Sequence, residues 1–437
     1  MSADQRDSVK PTLIDELCRY LYSFVLLLLI PLVLFKFAGK KNSQGADNSH
    51  GRFERFGMVP TPRQKNGYLF HCVSVGEVVA ASCVIKQLLV AEPNTSITVT
   101  TTTATGSARV RDIFGDKVNH FYLPFDLPIF MLLMLRRVQP KAMLITEVEL
   151  WPNLIHICWK QNIPVIVINA RMTSRSAVRY KKIGKLFKPL LLKISHVCAQ
   201  GQDDYRNYLS LGLSSNKLTL TNNIKFDQAA SVNQNIKGFM KLEQHDGPVL
   251  VAGSTHAPEE SQILEAAAIL WNVHPNLKVV IVPRHPERFD EVAELLTTKK
   301  IPFTRSSVGT TLHAGVSVVL LDEMGKLNDA YSVATIAFVG GSIAQKGGHN
   351  ALEPAAFSLP ILMGPNVYNN PVICHYLVER GALTIIQDAV SIAEACNTFL
   401  SSDQLCKKAG RAAGLVLEEN SGALDKTIEC IAGFTER

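Results

Sequence analysis

A disulfide framework is absent from this chain. Its nine cysteines stand singly, in odd number and without a C-x-x-C pair, which excludes a stapled secreted scaffold and points to reduced, buried thiols in the cytosol. No His, Cys and Asp cluster has metal-ligand spacing, so no metal is expected. There is no G-x-S-x-G elbow, no G-K-[ST] phosphate loop and no G-x-G-x-x-G fingerprint. Charge is also scarce, with 19% charged residues against 47% hydrophobic, a balance that excludes a largely disordered chain. Lys and Arg nowhere run together with interleaved aromatics, and a net charge of +7 over 437 residues is too diffuse for a nucleic-acid binder. A mild positive balance suits a protein that handles anionic lipids, phosphates or a carboxylated substrate.

What is present begins with an apolar run, YLYSFVLLLLIPLVLF, between Arg19 and Lys36. Its roughly 24 Å as a helix falls short of a bilayer core of roughly 30 Å. A single-pass anchor with snorkelling flanks and a helix lying in the interface both fit this length. No small-residue cleavage pattern follows, which argues against a signal peptide. Lys36, Lys40, Lys41, Arg52 and Arg55 follow the run, and the positive-inside rule then places the body in the cytoplasm. The polar stretch 39–51 reads as a flexible linker. Residues 1–50 are therefore expected to form a membrane anchor and linker.

The rest is long enough for two domains. Short apolar runs at 68–73, 97–102, 142–147, 164–170 and 196–200 alternate with helix-like stretches such as Glu77 to Val90 and Leu150 to Lys160. After a polar interval, 227–247, the alternation restarts with runs at 248–254, 277–283, 316–322, 336–341 and 360–364. Strand and helix in alternation predict parallel sheets covered on both faces. The expected architecture is α/β, with two doubly wound, Rossmann-like domains at 51–226 and 227–437 facing a central cleft.

The polar and glycine-rich clusters nearly all follow a predicted strand, at the carboxyl edge where doubly wound sheets bind ligands. In SVGE, Ser74 and Gly76 close a turn and Glu77 opens a helix. A glutamate there is commonly only a favourable charge at a helix start. At a sheet edge facing a second domain it is also a candidate general base. In TEVELWPN, Glu147 and Glu149 point the same way if the chain is extended; Trp151 is more often packing than a ligand platform. Arg171, after a strand, is a candidate contact for a carboxylate or a plain salt-bridge partner. GGSIAQKGGHN (340–350) has four glycines within nine positions, leads into a helix near Asn350 or Ala351, and offers backbone N–H groups to an anion. Glu353, one turn on, could accept a ribose hydroxyl. Arg284 and His285 follow a strand and could hold a phosphate or carboxylate, although a lone histidine, His256 and His349 included, is more often structural.

The ordered set HCVSVGE, EVELWPN, NARMTSRS, NIKFD, AGSTHAPEE, PRHPERF and GGHNALEPA resembles the 3-deoxy-D-manno-octulosonic acid (Kdo) transferases of lipopolysaccharide core synthesis, over nearly the whole chain. The resemblance implies a GT-B fold, an inverting glycosyltransferase, CMP-Kdo as donor and a lipid A precursor (lipid IVA) as acceptor. It implies action at the cytoplasmic face of the inner membrane, with no cofactor and no metal. Carried over by motif, Glu77 is the base, and Glu147 and Lys225 stabilise the transition state. CMP would be held by Arg284, His285, Met324, Gly325, Lys326, Asn350, Ala351, Leu352 and Glu353. Three positions depart from the family pattern: Asn222 stands where Gly precedes NIKFD, Lys326 replaces an acidic residue, and Ala351 replaces Pro. Competing readings are another GT-B transferase or a nucleotide-sugar epimerase, and a non-catalytic, membrane-tethered nucleotide-binding protein.

Overall fold

The computed structural model describes residues 12–38, 53–230, 239–309 and 315–435. The expected linker and the charges at Lys40, Lys41 and Arg52 lie outside them. The chain divides into two compact units, Met1–Ile224 with Gly422–Arg437, and Lys225–Ser421. The sequence boundary at 226/227 lies near this division. The last stretch, placed with the second domain from sequence, packs with the first: Ala423 and Ile431 of the helix Ala423–Thr435 join an apolar cluster with Tyr68, Phe70 and Val84.

The first unit is built on β1 (Tyr68–His71), β2 (Ile97–Thr101), β3 (Asn119–Tyr122), β4 (Ala142–Thr146), β5 (Val165–Ala170), β6 (His196–Ala199) and β7 (Leu218–Leu220). They form one sheet in the order β3-β2-β1-β4-β5-β6-β7, with every pairing parallel. Successive residues serve opposite faces. Leu69, Met143, Ile145, Val165 and Val167 pack in one core cluster, and Tyr68, Phe70, Leu144, Ile166 and Ile168 in another. Helices cover both faces, which is why these strands read as unbroken apolar runs.

The expected N-terminal helix runs over Leu13–Ala38, and its first turns are tied to this unit. Arg19, only 5% exposed, donates to Asn153 Oδ1 at 2.8 Å and pairs with Glu16 at 2.6 Å. Glu16 in turn pairs with Lys193 at 2.8 Å. The opposite face leaves Leu17, Tyr20, Leu21, Phe24, Leu27 and Leu28 exposed. No helix among the described residues is long and apolar enough to cross a membrane.

The second unit repeats the plan with β8 (Val249–Thr255), β9 (Lys278–Pro283), β10 (Phe303–Arg305), β11 (Val318–Leu320), β12 (Ile336–Val339), β13 (Ile361–Met363) and β14 (Leu383–Ile385). Its parallel order is β10-β11-β9-β8-β12-β13-β14. In each sheet the winding reverses between two central neighbours, β1 and β4 in the first, β8 and β12 in the second. The loops leaving the carboxyl ends of these strands border the crevice where such sheets take ligands.

Candidate active site

At the first reversal point stand SVGE, after β1, and the TEVELWPN segment, after β4. The helix Val75–Ala91 starts at Ser74, whose side chain caps it. Glu77 bonds back around the start of the helix: its carboxylate accepts from the Val73 N–H at 2.7 Å and from the Ser74 hydroxyl at 2.9 Å. These contacts help fix the helix start, yet they do not silence the group. Glu77 is 7% exposed, and burial pushes its carboxyl up to about 7, against the two hydrogen bonds and with help from the charges of Glu147 and Glu149. Burial and then the Glu147 charge also raise Glu149. Three carboxylates thus share one sheet edge, and the most buried of them titrates near neutrality, where a general base works best.

Glu147 and Glu149 do not align as on an extended chain. Glu147 has φ of 60°, a left-handed conformation uncommon outside glycine, so the backbone turns at the strand end and the alternation argument fails there. Strain of this kind is retained where the surrounding fold over-determines a side chain's direction. Asn222 has φ of 71°, and asparagine tolerates this region better than most residues; the departure from Gly at this position keeps the backbone shape. Lys225 donates to Asn370 Oδ1 at 3.0 Å. Arg171 lowers the carboxyl of Asp204, which burial raises, and so has a structural neighbour. Trp151 donates to His71 Nε2 at 3.1 Å, as a packing residue does.

The second unit has a cleft of about 400 Å³ lined by Ser254, Arg284, Phe289, Glu323, Met324, Gly325, Asn328, His349, Asn350 and Glu353, among others. Of the expected donor residues, Arg284, Met324, Gly325, Asn350 and Glu353 line it. Ala351 and Leu352 do not: their side chains are fully buried in an apolar cluster with Val339 and Met363. Lys326 pairs with Glu323 at 2.7 Å, and His285 stands exposed near Glu287. His349 Nε2 lies 2.8 Å from His256 Nε2, with the rings stacked. Burial, then His256 and Arg284, lower His349 to about 4, and burial also lowers His256. The pair is therefore neutral at neutral pH, and Arg284 supplies the positive charge of this wall. Burial raises Glu353, against a contact from Asn350 and the charge of Arg284.

The glycine-rich loop departs from expectation. Its N–H groups face a side chain of the protein itself: Glu259 accepts from Gly341, Ser342, Ile343 and Ala344 at 2.9, 3.0, 2.9 and 3.2 Å. A fifth N–H, from His256, donates to it at 2.9 Å. An internal carboxylate occupies the nest assigned to an external anion, because it stands one strand away at the same reversal point. The helix after the loop is only Leu352–Ala355, too short to build a useful dipole. Sequence reasoning missed Glu259 as the organiser of this loop, and missed Ser254 and Asn328 in the cleft. The GSTHAPEE motif contained the signal, but its partner lies more than eighty residues on.

The fold alone defines a class. The glycosyltransferase of Rickettsia africae matches 85% of this chain and 99% of its own length at 14% identity, with a TM-score of 0.52. The UDP-GlcNAc 2-epimerase of Neisseria meningitidis matches 85% and 100% at 15% identity, with a TM-score of 0.55. This is the GT-B-like architecture of two α/β units, shared by transferases and epimerases. Sequence decides between them. The 3-deoxy-D-manno-octulosonic-acid transferase (kdotransferase) family model matches residues 50–228. The 3-deoxy-D-manno-octulosonic acid transferase of Haemophilus influenzae is 39% identical over 427 residues, 96% of this chain and 99% of that protein. The chain belongs to the 3-deoxy-D-manno-octulosonic acid transferase family of glycosyltransferases.

Proposed function

We propose that this glycosyltransferase moves Kdo from CMP-Kdo to a hydroxyl of a lipid A precursor (lipid IVA), with inversion, at the cytoplasmic face of the inner membrane. The observation that carries the reading is Glu77, a buried carboxyl poised near pH 7 at a reversal point of the sheet. Its carboxylate takes the proton of the acceptor hydroxyl as that oxygen bonds to the anomeric carbon of Kdo. The bond from that carbon to the CMP phosphate oxygen breaks, and CMP leaves with one more negative charge. Arg284 receives the phosphate, Asn350 and Glu353 the ribose, and Met324 with Gly325 closes the nucleotide end. Glu147 stabilises positive charge on the sugar ring, and Lys225 offers a cation for the Kdo carboxylate.

The membrane part of the proposal rests on a second surface of the first unit. The N-terminal helix exposes an apolar face, and its other side, through Glu16, meets Lys193 of the helix Gly184–Lys193. That helix and its neighbour Ser174–Lys182 expose Arg175, Arg179, Lys181, Lys182, Lys185 and Lys188, with no acidic residue in either. An apolar face beside cations suits an interfacial helix on an anionic leaflet.

The test is an assay with CMP-Kdo and lipid IVA, reading CMP release and product mass. A Kdo-bearing lipid is expected, and Glu77→Ala should lose nearly all turnover while keeping its fold. Wild-type turnover in that variant would overturn the assignment of the base. Flotation with vesicles containing phosphatidylglycerol should recover wild type but lose a Leu21, Phe24 and Leu28 to Ser variant; equal recovery would sink the membrane reading.

A further inference from the structure

The three donor side chains His196, Cys198 and Cys430 come together although the sequence gives no metal-ligand spacing. β6 places His196 and Cys198 two residues apart, on one face of the strand. Cys430 arrives on the helix Ala423–Thr435, after the chain has built the whole second unit. One donor atom from each of the three lies within 4.8 Å of the others. A tetrahedral zinc ion with Zn–S bonds of about 2.3 Å separates its ligand atoms by roughly 3.5–3.8 Å, so closure needs shifts of about 1 Å or less.

Cys198 belongs to the apolar cluster of the first sheet, and Cys430 packs against it, as small core thiols do. On the side where the two sulfurs meet, an imidazole and the Thr219 hydroxyl stand with them, and these polar groups suit a bound ion. His196 Nε2 lies 2.9 Å from Thr219 Oγ1, a contact that fixes the ring as second neighbours of metal ligands do. Phe434, one turn beyond Cys430, has its ring centroid 5.7 Å from that of His196. Cys198 is buried and Cys430 half-buried, so the cluster has a dry side and an entry side. His196 also opens β6, at the amino edge of a parallel sheet whose carboxyl edge carries Glu77.

We propose that His196, Cys198 and Cys430 bind one thiophilic metal ion of the zinc class, which staples the carboxyl-terminal helix to the first sheet. Binding forms one metal–nitrogen and two metal–sulfur bonds and releases the two thiol protons to solvent, with a water completing the tetrahedron. The site is structural and independent of the transfer reaction.

The test uses the full chain, stripped with chelator under reducing conditions and then titrated with Zn2+ or Co2+. One equivalent should bind; Co2+ should produce a thiolate-to-cobalt charge-transfer band, and Zn2+ should raise the melting temperature by several degrees. Cys198→Ser, Cys430→Ser and His196→Gln should each lose the band; His196→Gln leaves both thiols in place and guards against a folding artefact. Absence of the band in wild type, its persistence in the Cys198→Ser and Cys430→Ser double variant, or a Cys198–Cys430 disulfide in the protein as isolated would each overturn the proposal.

Discussion

Glu77 and Glu259 occupy matching stations in the two sheets. Each follows the first strand of its sheet, stands in the first turn of the next helix, is buried, and borders the point where the winding reverses. Their surroundings differ. Five backbone N–H groups converge on Glu259, whereas Glu77 has one N–H, one hydroxyl and two neighbouring carboxylates. A buried carboxyl enclosed by N–H donors is an internal hydrogen-bond acceptor that shapes a loop. One with few donors and like charges nearby holds its proton to higher pH than a free glutamate does, and so can exchange it with a substrate. The same topological position thus serves architecture in one unit and, in the proposed mechanism, proton transfer in the other.

The strongest way to break this comparison is to remove the proposed base. Glu77→Gln should cut the transfer rate by about 10²–10⁴-fold while circular dichroism stays native; a loss under tenfold would leave Glu77 as a cap only. Next, Glu259→Gln should cost about 3 kcal/mol of stability or more, because buried N–H donors lose a charged acceptor; chemical denaturation measures this. An unchanged midpoint would show that the loop does not depend on that side chain.

The pH dependence sharpens the contrast. As the proposed base, Glu77 must be ionised to act, so kcat/KM should rise with pH through about 7 and plateau above it, and Glu77→Gln should lose that limb. Stability runs the other way. The folded-state value lies above that of an unfolded glutamate, so this group's contribution is full below the unfolded value of about 4.3. It is lost as pH rises through about 7. Glu77→Gln should flatten the melting temperature across that window. The smallest effect belongs to Glu149→Gln, which should move the activity limb to lower pH by less than about one unit, since Glu149 is only one of the causes raising Glu77.

The ten central strands were legible because they are buried on both faces and so read as apolar runs. The four that sequence missed, β3, β7, β10 and β14, are the four sheet edges. Edge strands are short and have one neighbour; NHFY, LTL, FTR and LTI carry no apolar run long enough to stand out. The site was legible as positions and much less as roles. Arg284, Met324, Gly325, Asn350 and Glu353 reach the cleft, while Ala351 and Leu352, in the same motif, turn into the core. A motif marks a stretch of chain, and the local turn decides which of its side chains faces the ligand.

By itself the sequence determined two parallel α/β units, their carboxyl-edge clusters and the family, since hydrophobic period and ordered motifs are local properties of the chain. Tertiary structure decided what each charged group does. Desolvation and the distance to other charges, not spacing along the chain, set the proton affinity of Glu77 and hand the glycine-rich loop to Glu259. The return of the last helix to the first unit is likewise a contact between ends of the chain, and no local pattern encodes it.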